Sequence, residues 1–132
     1  MAEPNNRLVP RYRPSSRVEI TWTAEDRSKQ LIRRKHPTTS VTAAIIDVSV
    51  NGMYVELPAE PRAQEGDVVA LMSDDKPAAA RVVRASFDRE KDQQLVGVEI
   101  TDMSREFADD LHGLVAALRG DRGQLAEWWQ RR

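Results

Sequence analysis

Two short groups of residues have the types and spacing for binding chemistry. Arg13 and Arg17 stand four positions apart on either side of Pro14-Ser15-Ser16. Proline disfavours helix at the residue before it, so this segment reads as extended, and four extended residues span roughly 13 Å. Two guanidinium groups so placed can grasp opposite ends of one ligand. Each is a planar, permanently charged fork that meets phosphate or a guanine O6/N7 edge with two hydrogen bonds and also stacks on a base. The second group is Asp47-Val48-Ser49-Val50-Asn51-Gly52. It sets a carboxylate, a hydroxyl and an unhindered glycine backbone on one polar rim, which can hydrogen-bond a planar ligand. Taken singly, either group has a plain reading, as a solvated charged arm or as a chance pattern in a hairpin. Together, in this order around the first strands, they are far more specific.

The elements that must hold these groups are mostly strands. Val41, Ile45 and Ile46 precede the polar connector, and Met53, Tyr54, Val55 and Leu57 follow it. They read as a β-hairpin over residues 39–57, with Asn51-Gly52 supplying the positive φ angles of a tight turn. Before it, Val18, Ile20 and Trp22 alternate with Glu19 and Thr21, the pattern of a half-buried strand. Three more strand-like runs follow, at residues 68–72, 79–87 and 95–100, separated by short turns. Six short strands at this spacing predict a mainly β protein, a small antiparallel barrel or sandwich. The period then changes. Phe107, Leu111, Leu114, Val115 and Leu118 fall on one stripe of a helix that can cover an open end or seam of the sheet. Ser104 is its N-cap, Glu106 suits the first turn, and Gly120 is a natural stop. Asp121 and Gln124 resemble a capping box for a further short helix carrying Leu125, Trp128 and Trp129.

Composition narrows the function classes. The chain has 132 residues, enough for one domain with a real core, and its 40% hydrophobic and 31% charged residues are those of a globular protein. Twenty basic against 21 acidic residues leave a net charge of -1, so bulk charge makes no case for nucleic acid and any anion site must be local. With no cysteine there is no disulfide, thiol nucleophile or Cys-based zinc site. The polar start Met1-Ala2-Glu3-Pro4-Asn5-Asn6 does not read as a signal peptide, and no apolar run approaches a membrane span, so a cytoplasmic location is expected.

On these residues the sequence resembles the PilZ domain family, bacterial receptors for cyclic di-GMP. The family signature is Arg-x-x-x-Arg before the first strand, then Asp or Asn-x-Ser-x-x-Gly between the next two. Arg13 to Arg17 matches the first part and Asp47 to Gly52 the second. Gly97-Val98-Glu99-Ile100 looks like the family's final strand, and the closing helix falls where the family has one. The resemblance covers about residues 11–118 and implies a six-stranded antiparallel PilZ-type β-barrel with a C-terminal α-helix. The corresponding division is a flexible arm at 1–12, the PilZ domain at 13–119 and a short helical tail at 120–132. It also implies roles: Arg13 and Arg17 would wrap the ligand, Asp47 and Ser49 would hydrogen-bond a guanine, and Gly52 would let the backbone approach it. Arg11 as a further cation and Tyr12 as a stacking ring are supporting candidates. The physical reading agrees, because cyclic di-GMP offers phosphates and purine O6/N7 edges to arginine and N–H groups to aspartate. An arm that orders on binding would turn ligand concentration into a conformational signal for an effector protein.

Other features carry less. No cofactor, metal cluster or catalytic set is apparent, and His36 and His112 have no metal-ligand spacing. Arg33-Arg34-Lys35-His36 reads as a solvated basic run. Residues 24–38 form a loop that is long for the family. Trp128 and Trp129 are adjacent, so both cannot face inward; one packs on the barrel, or the pair offers a patch for a partner or for a second copy in a homodimer. The rival to a nucleotide receptor is therefore a PilZ-like interaction module that works through this tail or the 24–38 loop.

Overall fold

The computed structural model describes residues 11–25 and 38–120. Most of the arm, the basic run at 33–36 and the tryptophan-bearing tail lie outside them. Six strands come first: β1 (Glu19–Glu25), β2 (Thr38–Ser49), β3 (Gly52–Pro58), β4 (Val68–Ser73), β5 (Lys76–Asp88) and β6 (Gln93–Met103). The helix α1 (Arg105–Gly120) follows. The strands close into an antiparallel barrel in the order β1-β2-β3-β6-β5-β4. Strands β2, β5 and β6 run longer than their apolar patterns, because their solvated ends remain paired to neighbours.

Alternation fills the interior. Ile20 and Trp22 from β1, Met53, Val55 and Leu57 from β3, Val69 and Leu71 from β4, and Val96 and Val98 from β6 are all buried in one cluster. Burial at roughly 25 cal/mol per Å² of apolar surface is what holds such a core together.

The helix closes one end of the barrel. Its start is capped as expected, with Ser104 Oγ accepting from the Phe107 N–H at 3.0 Å. Phe107, Leu111 and Leu114 face Ile20, Ile45 and Met53 across a residual gap of about 10 Å³, which at most holds one water. A polar contact fixes the helix to the β4–β5 hairpin: Asp110, almost fully buried, accepts from Ser73 Oγ at 3.3 Å and lies 3.4 Å from Lys76 Nζ.

A second polar anchor lies in the core. Gln94 Oε1 accepts from the Ala63 N–H at 2.7 Å, and its Nε2 donates to the carbonyls of Pro58 and Pro61 at 2.8 Å each. One buried amide thus ties the β3–β4 connection to β6. Nothing in the strand pattern announces this role.

The hairpin at 39–57 is present, but its turn differs from the expected one. Ser49 pairs with Gly52, so the two turn residues are Val50 and Asn51, and Gly52 opens β3. Neither Asn51 nor Gly52 has a positive φ; among the described residues only Gly66, Asp74 and Asp92 do. Gly52 is needed for another reason. A Cβ there would stand 2.6 Å from the Val98 carbonyl oxygen, closer than a carbon can come. Glycine is the residue that lets β3 pair with β6 at this point.

Candidate functional site

The Asp47–Gly52 rim owes its orientation to a β-bulge. Side chains alternate along a strand, and a one-residue slip exchanges the two faces. Ala43 and Ile45 point into the core, so unbroken alternation would send Asp47 and Ser49 inward as well. The register shifts between Ile45 and Asp47, leaving Ile46 without a partner on β3. Beyond that bulge Val48 enters the core and Asp47 reaches the surface partly exposed, while Ser49 stays buried beside the turn. The bulge therefore delivers the carboxylate to the surface.

The N-terminal segment is brought to this rim by backbone pairing. The Tyr12 N–H donates to the Val48 carbonyl at 2.8 Å, and the Val48 N–H returns a bond to the Tyr12 carbonyl at 2.9 Å. Farther along, the Ile45 N–H donates to the Val18 carbonyl at 2.9 Å, and Val18 is buried. Residues 13–17 thus arch over β2 between two fixed points. Arg13 and Arg17 lie on that arch, both exposed, and Arg13 directly follows the residue paired to Val48.

Arg11 and Tyr12 are more firmly placed than a mobile arm would be. Arg11 Nη1 donates to Asp47 Oδ1 at 2.9 Å, in a pair that remains partly exposed. The half-buried Tyr12 packs against the hydrophobic core.

Arg17 and Ser49 are also engaged. Arg17 Nε donates to Glu19 Oε2, and this hydrogen bond, then the charge of Glu19 and that of Glu56, raises the guanidinium pKa above its ordinary value. Ser49 is buried; its Oγ lies 3.0 Å from Asn51 Oδ1 and accepts from the Asn51 N–H at 3.4 Å. Arg13 has no side-chain partner among the described residues. The arrangement offers guanidinium forks and a carboxylate acceptor, with Arg13 unpaired among the described residues and Arg17 and Asp47 each holding an internal partner that a ligand would replace.

Among the described residues no three His, Cys, Asp or Glu side chains are placed to hold a metal ion, and no helix is long and apolar enough to cross a membrane.

The fold is a small closed six-stranded antiparallel β-barrel with one C-terminal helix. The chain belongs to the PilZ domain family, whose pattern it matches over residues 6–117; these are non-enzymatic domains of the cyclic di-GMP receptor type. Two solved structures share the fold. One is the PilZ domain with c-di-GMP of YcgR from Escherichia coli, 14% identical with a TM-score of 0.53, covering 92% of this chain and 97% of that one. The other is the Bacillus subtilis inhibitor of motility (MotI/DgrA), 14% identical with a TM-score of 0.56, covering 88% of this chain. The present chain spans about half of that protein, 53% of its length. No curated protein sequence matches significantly.

Proposed function

We infer that this chain is a receptor for cyclic di-GMP, with Arg13, Arg17, Asp47, Ser49 and Gly52 as its binding residues. The observation that carries this reading is the arch at 13–17, held over the Asp47–Gly52 rim by the Tyr12–Val48 and Val18–Ile45 bonds. These bonds tie the segment that carries the first part of the signature to the strand that carries the second, which supports the reading. In this reading Arg13 and Arg17 bind phosphates and guanine O6/N7 edges, and Asp47 accepts from guanine N1–H and N2–H. Arg17 leaves Glu19, and Asp47 leaves Arg11, when the ligand docks. The arch then changes shape, and an effector protein reads that change.

A second reading rests on the outer face of β4. Val68 is 71% exposed and Met72 is also exposed, with Ala70 between them on the same face. An apolar strip of this kind suits a partner protein, and it would serve an interaction module with or without the nucleotide.

Calorimetric titration of the protein with cyclic di-GMP, with GTP as control, separates the two. Saturable binding selective for the cyclic dinucleotide supports the receptor. A folded protein that does not bind leaves the interaction module.

A further inference from the structure

Beyond the rim, the outer face of the barrel carries a second set of groups. The register across β2, β3, β6 and β5 sets Asp47, Tyr54, Gly97 and Arg84 side by side in one row. Met53 and Val55 point into the core, so Tyr54 between them points out, and it is half-buried rather than covered. Gly97 keeps the row open. A Cβ there would lie 3.2 Å from Cδ1 and 3.6 Å from Cε1 of Tyr54, and 3.7 Å from Cβ of Arg84. The tyrosine ring therefore lies over the glycine, on the Arg84 side of its own strand.

On this face Arg84, like Arg13 on the arch, stands apart from the paired arginines. Arg11 is held by Asp47, Arg17 by Glu19 and Arg81 by Glu99. Arg84 is exposed and has no ion pair among the described residues, and the Tyr54 hydroxyl has no hydrogen-bond partner there either. With strands roughly 4.8 Å apart, Asp47 and Arg84 are separated by about 14 Å at the backbone. Long side chains bring their charged ends closer than that.

We propose that Tyr54 and Arg84 form a purine subsite, with the Tyr54 ring as stacking platform for the base that Asp47 reads and Arg84 as the cation for the attached phosphate. In guanine the N1–H/N2–H edge and the sugar-bearing nitrogen lie on opposite sides of the ring system. A base whose hydrogen-bonding edge meets Asp47 therefore carries its sugar and phosphate across Tyr54 and Gly97 towards Arg84. Aromatic stacking supplies affinity that polar contacts on an exposed rim do not, and Arg suits phosphate through its fork. Gly97 acts as a positioning residue, because a Cβ there would press on the ring at 3.2 Å and shift it from this position. The subsite rests on the receptor reading above.

The experiment is titration of the full chain with cyclic di-GMP, comparing wild type with Arg17→Ala, Tyr54→Ala, Tyr54→Phe and Arg84→Ala, each checked for fold by circular dichroism. Tyr54→Ala is expected to weaken binding by about tenfold or more, the scale of one lost base stack, and Tyr54→Phe to stay within about twofold of wild type. Arg84→Ala is expected to weaken binding and flatten its salt dependence. If Arg17→Ala abolishes binding while Tyr54→Ala and Arg84→Ala bind like wild type, the subsite is overturned and the receptor stands. Equal losses in Tyr54→Phe and Tyr54→Ala overturn the stacking role. A wild-type chain that binds no cyclic di-GMP overturns both readings.

Discussion

Arg11 and Asp47 form an ion pair, Nη1 to Oδ1 at 2.9 Å, at the place where a ligand would need the carboxylate. The Tyr12–Val48 backbone bridge holds the arginine there. Replacing Arg11 by Ala removes a cation from the site but also frees Asp47, and a partly exposed pair is worth at most about 1 kcal/mol. Arg11→Ala is therefore expected to change cyclic di-GMP affinity by less than about fivefold in either direction. A loss as deep as that of Arg17→Ala, read in the same titration, would place Arg11 on the ligand.

Arg17→Ala is expected to abolish nucleotide binding while leaving the melting temperature close to that of wild type. The side chain is exposed, and its bond to Glu19 is a surface contact. Thermal denaturation beside calorimetry checks both halves. An unfolded variant would make Arg17 structural.

Affinity for cyclic di-GMP should fall as salt rises, since the forks of Arg13 and Arg17 are exposed and the Debye length shortens from about 10 Å at 0.1 M to about 3 Å at 1 M. Titrations across a sodium chloride series test this. Binding that ignores salt would remove the arginine–phosphate contacts as the source of affinity.

Gly52→Ala should destabilise the barrel itself. The new methyl would sit 2.6 Å from the Val98 carbonyl oxygen, which belongs to backbone and cannot swing aside. Overpacking of this kind costs about 1–3 kcal/mol, and chemical denaturation should show it without ligand present. Unchanged stability would mean that β3 and β6 separate easily at this point.

Gln94→Ala should cost about 2 kcal/mol or more, because it leaves the Ala63 N–H and two proline carbonyls without their partner in a buried setting. A denaturant midpoint indistinguishable from wild type would show that water replaces the amide.

The six strands and the helix were legible from the chain because each follows a local period. Val18, Ile20 and Trp22 alternate, Phe107 to Leu118 recur at helical spacing, and Ser104 caps the helix as its residue type directs. The family was legible too, since the types and intervals of its signature residues can be read without a fold. The segment that carries Arg13 and Arg17 ends up paired to β2 through Tyr12–Val48 and Val18–Ile45, although nothing local joins them.

What the sequence could not yield depends on pairing between distant strands. The bulge at Ile46 cannot be read from alternation, because it breaks the alternation that would otherwise have turned Asp47 inward. Gly52 looked like a turn glycine, yet its need comes from the Val98 carbonyl on a strand some 45 residues later. The Arg11–Asp47 pair, the Gln94 anchor and the row from Asp47 through Tyr54 and Gly97 to Arg84 arise in the same way. Strand β3 lies beside β6 rather than β4, and that adjacency exists only once the barrel has closed. Local periodicity determined the elements; barrel closure and register decided which side chains meet.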